Sequence, residues 1–262
     1  MGLFFSRHQE TFANSPKPVM VDFYPPLSGK SAVDDLAYAE TLDNYVQRVE
    51  KSPINAYVRR GTNYKPSLYS VNRFVPNEKQ GLWPNGQVIW MTEEADGGLP
   101  HTRPPRYICL PASHPEKDLA TTLTHERIHL SQRQKTDKWV AMLGKAWNFT
   151  IYHDSLPEKL VSMHRLNPDL IMFPLMKWKE QYVPYAIFKS SKPTSLSDIK
   201  VVWFDVQKRV IFESAPKGWV EYFGNIPQGE HPFEMAAYIL TSDSKSPSKQ
   251  ALTAVLGDLQ KD

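Results

Sequence analysis

The spacing of apolar residues changes several times along this chain, and each change predicts a different element. Residues 1–30 include "SPKPVMVDFYPPLSGKS", which has four prolines and no helical period, so we expect an extended N-terminal arm. Residues 31–51 carry apolar side chains at near-helical spacing, which predicts an amphipathic helix. Residues 54–111 contain "GQVIWMT" and "RYICLP", whose branched and aromatic residues predict strands of a small sheet.

A long central helix is predicted over residues 114–134. Ser113 and Glu116 match the capping box S-x-x-E, and Pro115 suits the first turn. Leucines at helical spacing form an apolar stripe on this segment: Leu119, Leu123 and Leu130. These leucines give the predicted helix one apolar face.

The second half of the chain alternates between helical and strand patterns. Further helices are predicted at residues 137–148, 157–165, 232–240 and 248–260. Within 170–214, "QYVPYAIF" and "KVVWFDVQKRVIFE" predict strands, the second as a hairpin. The pattern as a whole predicts the α+β class: an arm over 1–30 and a single domain over 31–262, with sub-lobes of about 31–150 and 151–262.

Composition excludes several classes of protein. Hydrophobic residues make up 41% of the 262 residues and charged residues 23%, as expected of a globular chain with a sizeable core. A formal net charge of +3 does not favour nucleic acid as a partner. No run of about 18 apolar residues predicts a transmembrane segment, and the apolar run at residues 3–5 is too short for a secretory signal.

The single cysteine and the first six residues bear on location. Cys109 cannot form an intramolecular disulfide, which favours an intracellular, cytoplasmic compartment or a particle assembled in one. The start M-G-L-F-F-S matches the N-myristoylation pattern at Gly2, and one such lipid would give only weak membrane contact. The alternative is an N-terminus whose apolar residues pack on the body of the protein.

The stretch "LTHERIHLSQRQ", residues 123–134, carries the strongest chemical signal. On a helix, His125 and His129 share one face with Cβ atoms about 5–6 Å apart, so both imidazoles can reach one zinc ion. Glu126 lies beside them, where it can take a proton from water without binding the metal; this is the H-E-x-x-H arrangement. The alternative is a polar helix face with two unrelated histidines.

A zinc site of this kind needs a third protein ligand. Gln132 and Lys135 stand where a metzincin would have glycine and histidine, so that class is excluded. Downstream, "GEHPFEMAAYIL" places Glu234 near the start of a predicted helix, and the two following alanines would allow close helix packing. Glu234 would otherwise be a carboxylate that stabilises the helix dipole. The competing ligands nearby are Glu230 and His231.

HERIH followed by a later helix with E-x-x-A resembles the gluzincin branch of zinc metallopeptidases. The islands "PHT", "ICLP", "LTHERIHLSQR", "NPD" and "EHPFEMAAY" are also similar to zincin-like proteins of large DNA viruses, and they cover about residues 100–241. The resemblance implies Zn²⁺ held by His125, His129 and Glu234, with Glu126 as general base. It also implies a virion-associated location as an alternative to the cytoplasm.

The same resemblance implies a zincin-like fold. A small mixed or antiparallel sheet would pack on the HExxH helix, with additional helices and a C-terminal β-hairpin region. The strand around Ile108 would border the cleft and pair with an extended peptide. The N-E-x-x-S-D form of the third-ligand motif, found in thermolysin-like members, is missing from this chain.

Other side chains are candidates for contacts to the substrate or to a developing oxyanion. These are Tyr238, His231, His164, His101 and Tyr222. Gln132 and Arg133 extend the metal-binding face by one turn, where they either orient the ligands or form a solvated helix end. Cys109 lies in a predicted strand without a nucleophile motif, so we interpret it as part of the core.

The sequence therefore predicts a zinc-dependent metallopeptidase that acts on peptide or protein substrates. One alternative is a non-enzymatic structural or interaction protein, for example of a virion, that retains a zincin scaffold. Another is a zinc hydrolase of a non-peptide amide or ester. Glu126 favours an enzyme, since a degenerate scaffold has no need of a general base.

Overall fold

Alternation of short apolar strands with amphipathic helices gives this chain an α+β fold, in agreement with the sequence. The computed structural model describes residues 32–60, 65, 72–74, 83–92 and 95–260. The predicted arm over 1–30, with Gly2 and its lipidation pattern, lies outside the described residues. Of the described helices, none combines the length and the apolar character needed to cross a bilayer.

The elements are numbered here in chain order. The described helices are α1 (Ala32–Asp43), α2 (Tyr45–Lys51), α3 (Pro53–Val58), α4 (Glu116–Gln134), α5 (Thr136–Trp147), α6 (Glu158–Ser162), α7 (Trp219–Phe223), α8 (Pro232–Thr241) and α9 (Pro247–Val255). The described strands are β1 (Asn72–Phe74), β2 (Gln87–Met91), β3 (His101–Arg103), β4 (Tyr107–Pro111), β5 (Phe149–Ile151), β6 (Met176–Trp178), β7 (Tyr182–Phe188), β8 (Ile199–Asp205) and β9 (Val210–Phe212). Short 3-10 segments cover Ala95–Gly98 and Leu256–Gln260.

The N-terminal sheet is small and mixed, as predicted, with strand order β1-β2-β4-β3. β2 and β4 run parallel, while β1 and β3 are antiparallel to their neighbours at the two edges. One face packs against α4 through a buried apolar cluster of Val88, Ile108, Leu110, Leu123 and Leu130. On the other face, Cys109 is fully buried, which confirms its assignment to the core.

The single helix predicted over residues 31–51 is wrong, because the chain breaks between α1 and α2. Asp43 points inward and accepts hydrogen bonds from Arg103 on β3 at 2.7 and 2.9 Å. Its Oδ1 also accepts the backbone N–H of Tyr45. Asn44 makes the break with a left-handed backbone (φ 53°), a conformation that asparagine tolerates. Helix α3, which directly follows α2, was not predicted from the sequence.

The predicted capping box at the start of α4 is wrong. The helix begins at Glu116, and its N-cap is Pro115, which has extended backbone angles and makes no side-chain cap bond. Ser113 therefore lies outside the first turn, where its hydroxyl does not serve as the cap. The helix ends at Gln134 as predicted, and α5 begins two residues later.

The C-terminal sheet is antiparallel, with strand order β5-β6-β7-β8-β9. β7 and β8 match the two predicted runs, and β8 with β9 forms the predicted hairpin. β5 and β6 were not predicted, because three residues are too few to show a strand period. This region is thus a five-stranded sheet, larger than the hairpin region expected.

One large core connects the two halves of the chain. It joins α4, α5 and β5 to β6, β8 and the helices α7, α8 and α9, and eight of its eighteen buried residues are Trp or Phe. α6 ends at Ser162, earlier than the predicted residue 165, and the chain then continues as a loop to β6. That loop carries several of the polar side chains described below.

Candidate metal centre

The histidine motif and the third carboxylate come together because α8 packs directly on α4. His125 and His129 lie one turn apart on α4, and Glu234 lies in the first turn of α8. Ala236 and Ala237 on α8 are fully buried, and Ala237, three residues after Glu234, lies on the same face of the helix as Glu234. The structure thus brings together the three residues that the sequence proposed as ligands.

The separations between the three side chains suit a tetrahedral cation site. His125 Nε2 lies 3.1 Å from His129 Nε2 and 3.5 Å from Glu234 Oε1, and His129 Nε2 lies 3.3 Å from Glu234 Oε2. Ligand atoms about 2.0–2.1 Å from a common tetrahedral zinc ion would lie about 3.3–3.4 Å from one another. Two imidazole nitrogens and one carboxylate oxygen are also ligands that zinc accepts. The residues present therefore fit a zinc ion.

Gln132 sets the orientation of the His129 ring. The Gln132 Nε2 amide donates to the backbone carbonyl of Phe233 at 2.9 Å, so its Oε1 is left as an acceptor. His129 Nδ1 lies 2.8 Å from that oxygen and must donate to it. In the neutral ring, Nε2 then carries the lone pair that faces Glu234. Gln132 is fully buried and holds the ligand, so it is not part of a solvated helix end.

Opposite charges stabilise each other within this cluster. Burial acts to lower the pKa of His129, but the Glu234 carboxylate, followed by Asp169, more than offsets burial and raises the pKa to about 10. Burial acts to raise the pKa of Glu234, but His129 and His125 hold it well below its ordinary value. Because a metal ligand must be a neutral imidazole, a cation that binds here displaces the His129 proton.

Glu126 is buried beside this cluster and faces the same cavity. Its Oε2 atom has no hydrogen-bond partner among the described residues. Burial, and after it the nearby Asp169 carboxylate, raises the pKa of Glu126 well above its ordinary value. Asp169 itself accepts hydrogen bonds from the Thr102 amide and hydroxyl at 2.7 and 2.6 Å. Glu126 is thus a buried carboxylate with an unused oxygen and a raised proton affinity.

The cavity in front of the ligands has a volume of about 370 Å³. Tyr238 lines it, and its ring packs edge-on against His125 with centroids 4.6 Å apart. The Tyr238 hydroxyl accepts a hydrogen bond from Gln228 at 2.9 Å. Burial raises the pKa of Tyr238, so the hydroxyl stays protonated. Of the predicted substrate contacts, Tyr238 is the one that lies against the ligands.

His231 does not join the cluster. It is the N-cap of α8: its Nδ1 accepts the backbone N–H of Phe233 at 3.2 Å, and its Nε2 lies 2.9 Å from the carbonyl of Pro174. Burial lowers the pKa of His231 to about 4, so the ring is neutral. Its role in the structure is to start the helix that carries Glu234, and both ring nitrogens are occupied in doing so.

His164 also lies away from the cluster. Its ring stacks on Tyr185, with centroids 4.3 Å apart, in the wall of a second cavity. Burial, and after it Arg165, lowers the pKa of His164 to about 3. The structure therefore places His164 next to the second cavity and not next to the ligands.

The remaining candidates have other partners. Glu230, the competing carboxylate, accepts a hydrogen bond from Asn167 at 2.9 Å. His101 Nδ1 lies 3.0 Å from the backbone oxygen of Leu99. The Tyr222 hydroxyl donates to a backbone carbonyl of α5. None of these three residues is among those that line the metal-site cavity in the part of the chain that the structure describes.

The expectation that the strand around Ile108 borders the cleft is wrong. Ile108 lies on β4, between β2 and β3, so β3 is the edge strand on that side. The outward backbone groups of β3 are already used: Thr102 N–H donates to Asp169, and Thr102 C=O accepts from Arg133. Pro100 and Pro104 on either side have no N–H to offer. The outer edge of β3 therefore cannot form a ladder of backbone hydrogen bonds with an extended peptide.

Sequence reasoning gave no site role to Arg165, Asn167 and Asp169 of the cavity wall, although "NPD" was quoted as an island of the resemblance. All three belong to the loop between α6 and β6, within "MHRLNPD". The one signal available was the Asn-Pro pair, which predicts a loop but does not say where the loop lies. For Arg133, the sequence left open whether it orients the ligands or forms a solvated helix end. In the structure, Arg133 donates hydrogen bonds to the carbonyls of Thr102 on β3 and Pro168 in this loop, and so connects the two.

Comparison with known proteins adds no relative: no family model, no curated protein and no solved structure matches this chain.

Proposed function

We propose that this chain is a zinc-dependent hydrolase with a zincin-like fold, and that it acts as a metallopeptidase. The observation that carries the proposal is the convergence of His125, His129 and Glu234 at 3.1 to 3.5 Å. The HExxH helix packed on a small mixed sheet supports it, as does the carboxylate supplied by a later helix. The spacing of the motif and the raised pKa of Glu126 are consistent with the same function.

Glu126 is the general base of the proposed reaction. A bound zinc ion would supply Lewis acidity that activates both the water and the substrate carbonyl. The unused Glu126 Oε2 takes a proton from the water as the water oxygen attacks the carbonyl carbon. When the C–N bond breaks, Glu126 passes that proton to the leaving nitrogen. Its raised pKa suits a group that must hold the proton between these two steps.

Tyr238 is the proposed donor to the developing oxyanion. Its hydroxyl accepts from Gln228 and keeps its own hydrogen for another acceptor. Contact with the His125 ring holds it next to the ligands. A preorganised donor of this kind stabilises negative charge that is absent from the ground state.

Metal content and the Glu126→Gln variant test the proposal together. Wild-type protein should bind about one zinc per chain by mass spectrometry of the metal. Glu126→Gln should keep that zinc, because Glu126 is not a ligand, while cleavage of a peptide library falls by at least about 100-fold. His129→Ala is the control that should lose both zinc and cleavage.

Other outcomes would contradict the proposal at different points. If the protein does not bind added zinc, the proposed zinc site is absent. A Glu126→Gln variant that cleaves as fast as wild type has another base. A wild-type protein that binds zinc but cleaves neither peptides nor simple esters would be the non-enzymatic scaffold.

A further inference from the structure

Arg165 lies where the metal-site cavity meets a second cavity. It belongs to the loop between α6 and β6 and is 5% exposed. Its side chain lines both the metal-site cavity and the second cavity, which has a volume of about 240 Å³. Among the described residues that line the metal-site cavity, Arg165 is the one lysine or arginine.

The guanidinium of Arg165 is poorly paired for a buried cation. Its Nε and Nη1 atoms have no hydrogen-bond partner within the described part of the chain. The nearest opposite charge, Glu230 Oε1, lies 3.6 Å from Nη1, beyond the roughly 2.7–2.9 Å of a charge-assisted hydrogen bond. Glu230 Oε1 is instead bonded to Asn167 at 2.9 Å. Leaving buried charged donors unpaired destabilises a protein, and a bound anion would remove that cost.

The acidic groups of the cavity do not compete for this cation. Glu234 lies against the two histidines, and Asp169 is bonded to Thr102. Glu126 is the proposed base. A bound zinc ion would also offset two of these three negative charges, so an anionic ligand could enter next to Arg165.

The second cavity has a mixed wall, lined on one part by Arg48, His164, Glu230 and His231. Its apolar part is formed by Leu166, Leu170, Ile171, Phe173, Leu175 and Ala186. Arg165 and Asn167 line it as well as the metal-site cavity, so a ligand bound at Arg165 has the zinc ligands on one side and this apolar space on the other. The volume of about 240 Å³ suits a single large side chain and not a longer peptide segment.

The closed edge of β3 also bears on how a substrate is held. Because Thr102 is bonded to Asp169 and Arg133, this edge gives an extended peptide no ladder of backbone hydrogen bonds. Without that ladder, the substrate features that Arg165 and the second cavity can hold are an end group and a side chain.

We propose that Arg165 binds the free C-terminal carboxylate of a short peptide whose last side chain is apolar. The terminal side chain occupies the second cavity, and the last peptide bond faces the zinc ligands. This inference rests on the proposed function and narrows it to removal of C-terminal residues. Arg165 is in this scheme a specificity-determining residue.

Binding to an inactive protein tests the inference without relying on turnover. The probes are N-acetyl-Ala-Phe and its C-terminal amide, titrated by calorimetry into zinc-loaded Glu126→Gln protein. We expect the acid to bind roughly 10- to 100-fold more tightly than the amide, the effect of one charge-assisted pair. In the same Glu126→Gln protein, the further substitution Arg165→Met should abolish the difference in affinity between acid and amide. The control substitution Arg106→Met removes an exposed positive charge and should preserve that difference.

Glu230→Gln is a second test, in which the expected result is a gain of affinity that a misfolded variant would not show. Removing this negative charge 3.6 Å from the guanidinium leaves the positive charge of Arg165 less offset, so the acid should bind more tightly while the affinity for the amide stays unchanged. Equal affinities for acid and amide in the parent protein, or an acid preference that survives Arg165→Met, would overturn the inference. Zinc content is measured on the same samples: a metal-free protein that still prefers the acid contradicts the proposed function and supports the role of Arg165.

Discussion

His129 is held by an amide, and this single contact decides which nitrogen faces the site. Gln132 can act only as acceptor toward His129, because its own amide nitrogen donates to Phe233. The sequence left Gln132 open between two roles, since its neighbours on other elements were unknown. Helix spacing predicts that Gln132 can reach His129, three residues earlier. The Phe233 carbonyl that fixes the orientation of the Gln132 amide lies on another helix and could not be predicted.

Gln132→Leu should weaken zinc binding by roughly 10- to 100-fold, because the His129 ring loses the partner that fixes its tautomer. The measurement is competition for zinc with a chelator of known affinity. Gln134→Leu is the matched control, since Gln134 is exposed two residues further along. Equal zinc affinities for the two variants would show that the Gln132 contact does not orient the ligand.

The His231 cap should make stability depend on pH. Its pKa in the folded protein, about 4, lies below the ordinary 6.5, so the unfolded chain binds the extra proton. Its contribution to stability is therefore complete above about pH 6.5 and is lost as pH falls toward 4, by up to about 1.4 kcal/mol per pH unit. Asparagine caps helices without titrating, so His231→Asn should flatten this part of the curve of unfolding free energy against pH.

Urea unfolding between pH 4 and 8 would measure that slope. His153→Asn serves as the control, because His153 is exposed and its replacement should leave the slope as it is in wild type. A His231→Asn protein with the wild-type slope would mean that the acid sensitivity arises elsewhere, for example at His164.

At the scale of elements, the site depends on how closely α8 approaches α4. Helix spacing places Ala237 on the same side of α8 as Glu234. Ala237 and its neighbour Ala236 are both fully buried. The long helices were predicted because their period repeats over several turns. Several short elements were missed, because lengths of three to six residues carry no clear period: α3, α7, β1, β3, β5 and β6.

Ala237→Leu should force the two helices apart. We expect a loss of about 1–3 kcal/mol in unfolding free energy, as for other overpacked cores, together with weaker zinc binding as Glu234 moves away from the histidines. Chemical denaturation and zinc titration measure the two effects. Ala120→Leu, on the exposed side of α4, should change stability by less than about 0.5 kcal/mol and leave zinc binding intact. An Ala237→Leu protein with normal zinc affinity would contradict this account of the helix packing.

At the scale of the whole molecule, the two predicted sub-lobes share one core. Ile128 on α4 and Trp139 on α5 belong to the same buried cluster as Trp219 and Phe233 from the second half of the chain. The largest buried cluster therefore crosses residue 150, while other buried clusters lie within one half of the chain. Both halves also contribute to the candidate metal centre, since the histidines come from the first and Glu234 from the second.

Features that depend on residues close together in the chain were predictable from the amino-acid sequence. These are the α+β class, the helix with its two histidines and Glu126, and the helix whose first turn holds Glu234, because repeat spacing and the i, i+4 relation are local. The position of β3 at the sheet edge, and the side-chain bonds that occupy that edge, became visible only in the folded protein. The same holds for the capping role of His231 and for the place of Arg165 in the cavity wall. Those outcomes depend on contacts between residues far apart in the chain, which no local pattern records.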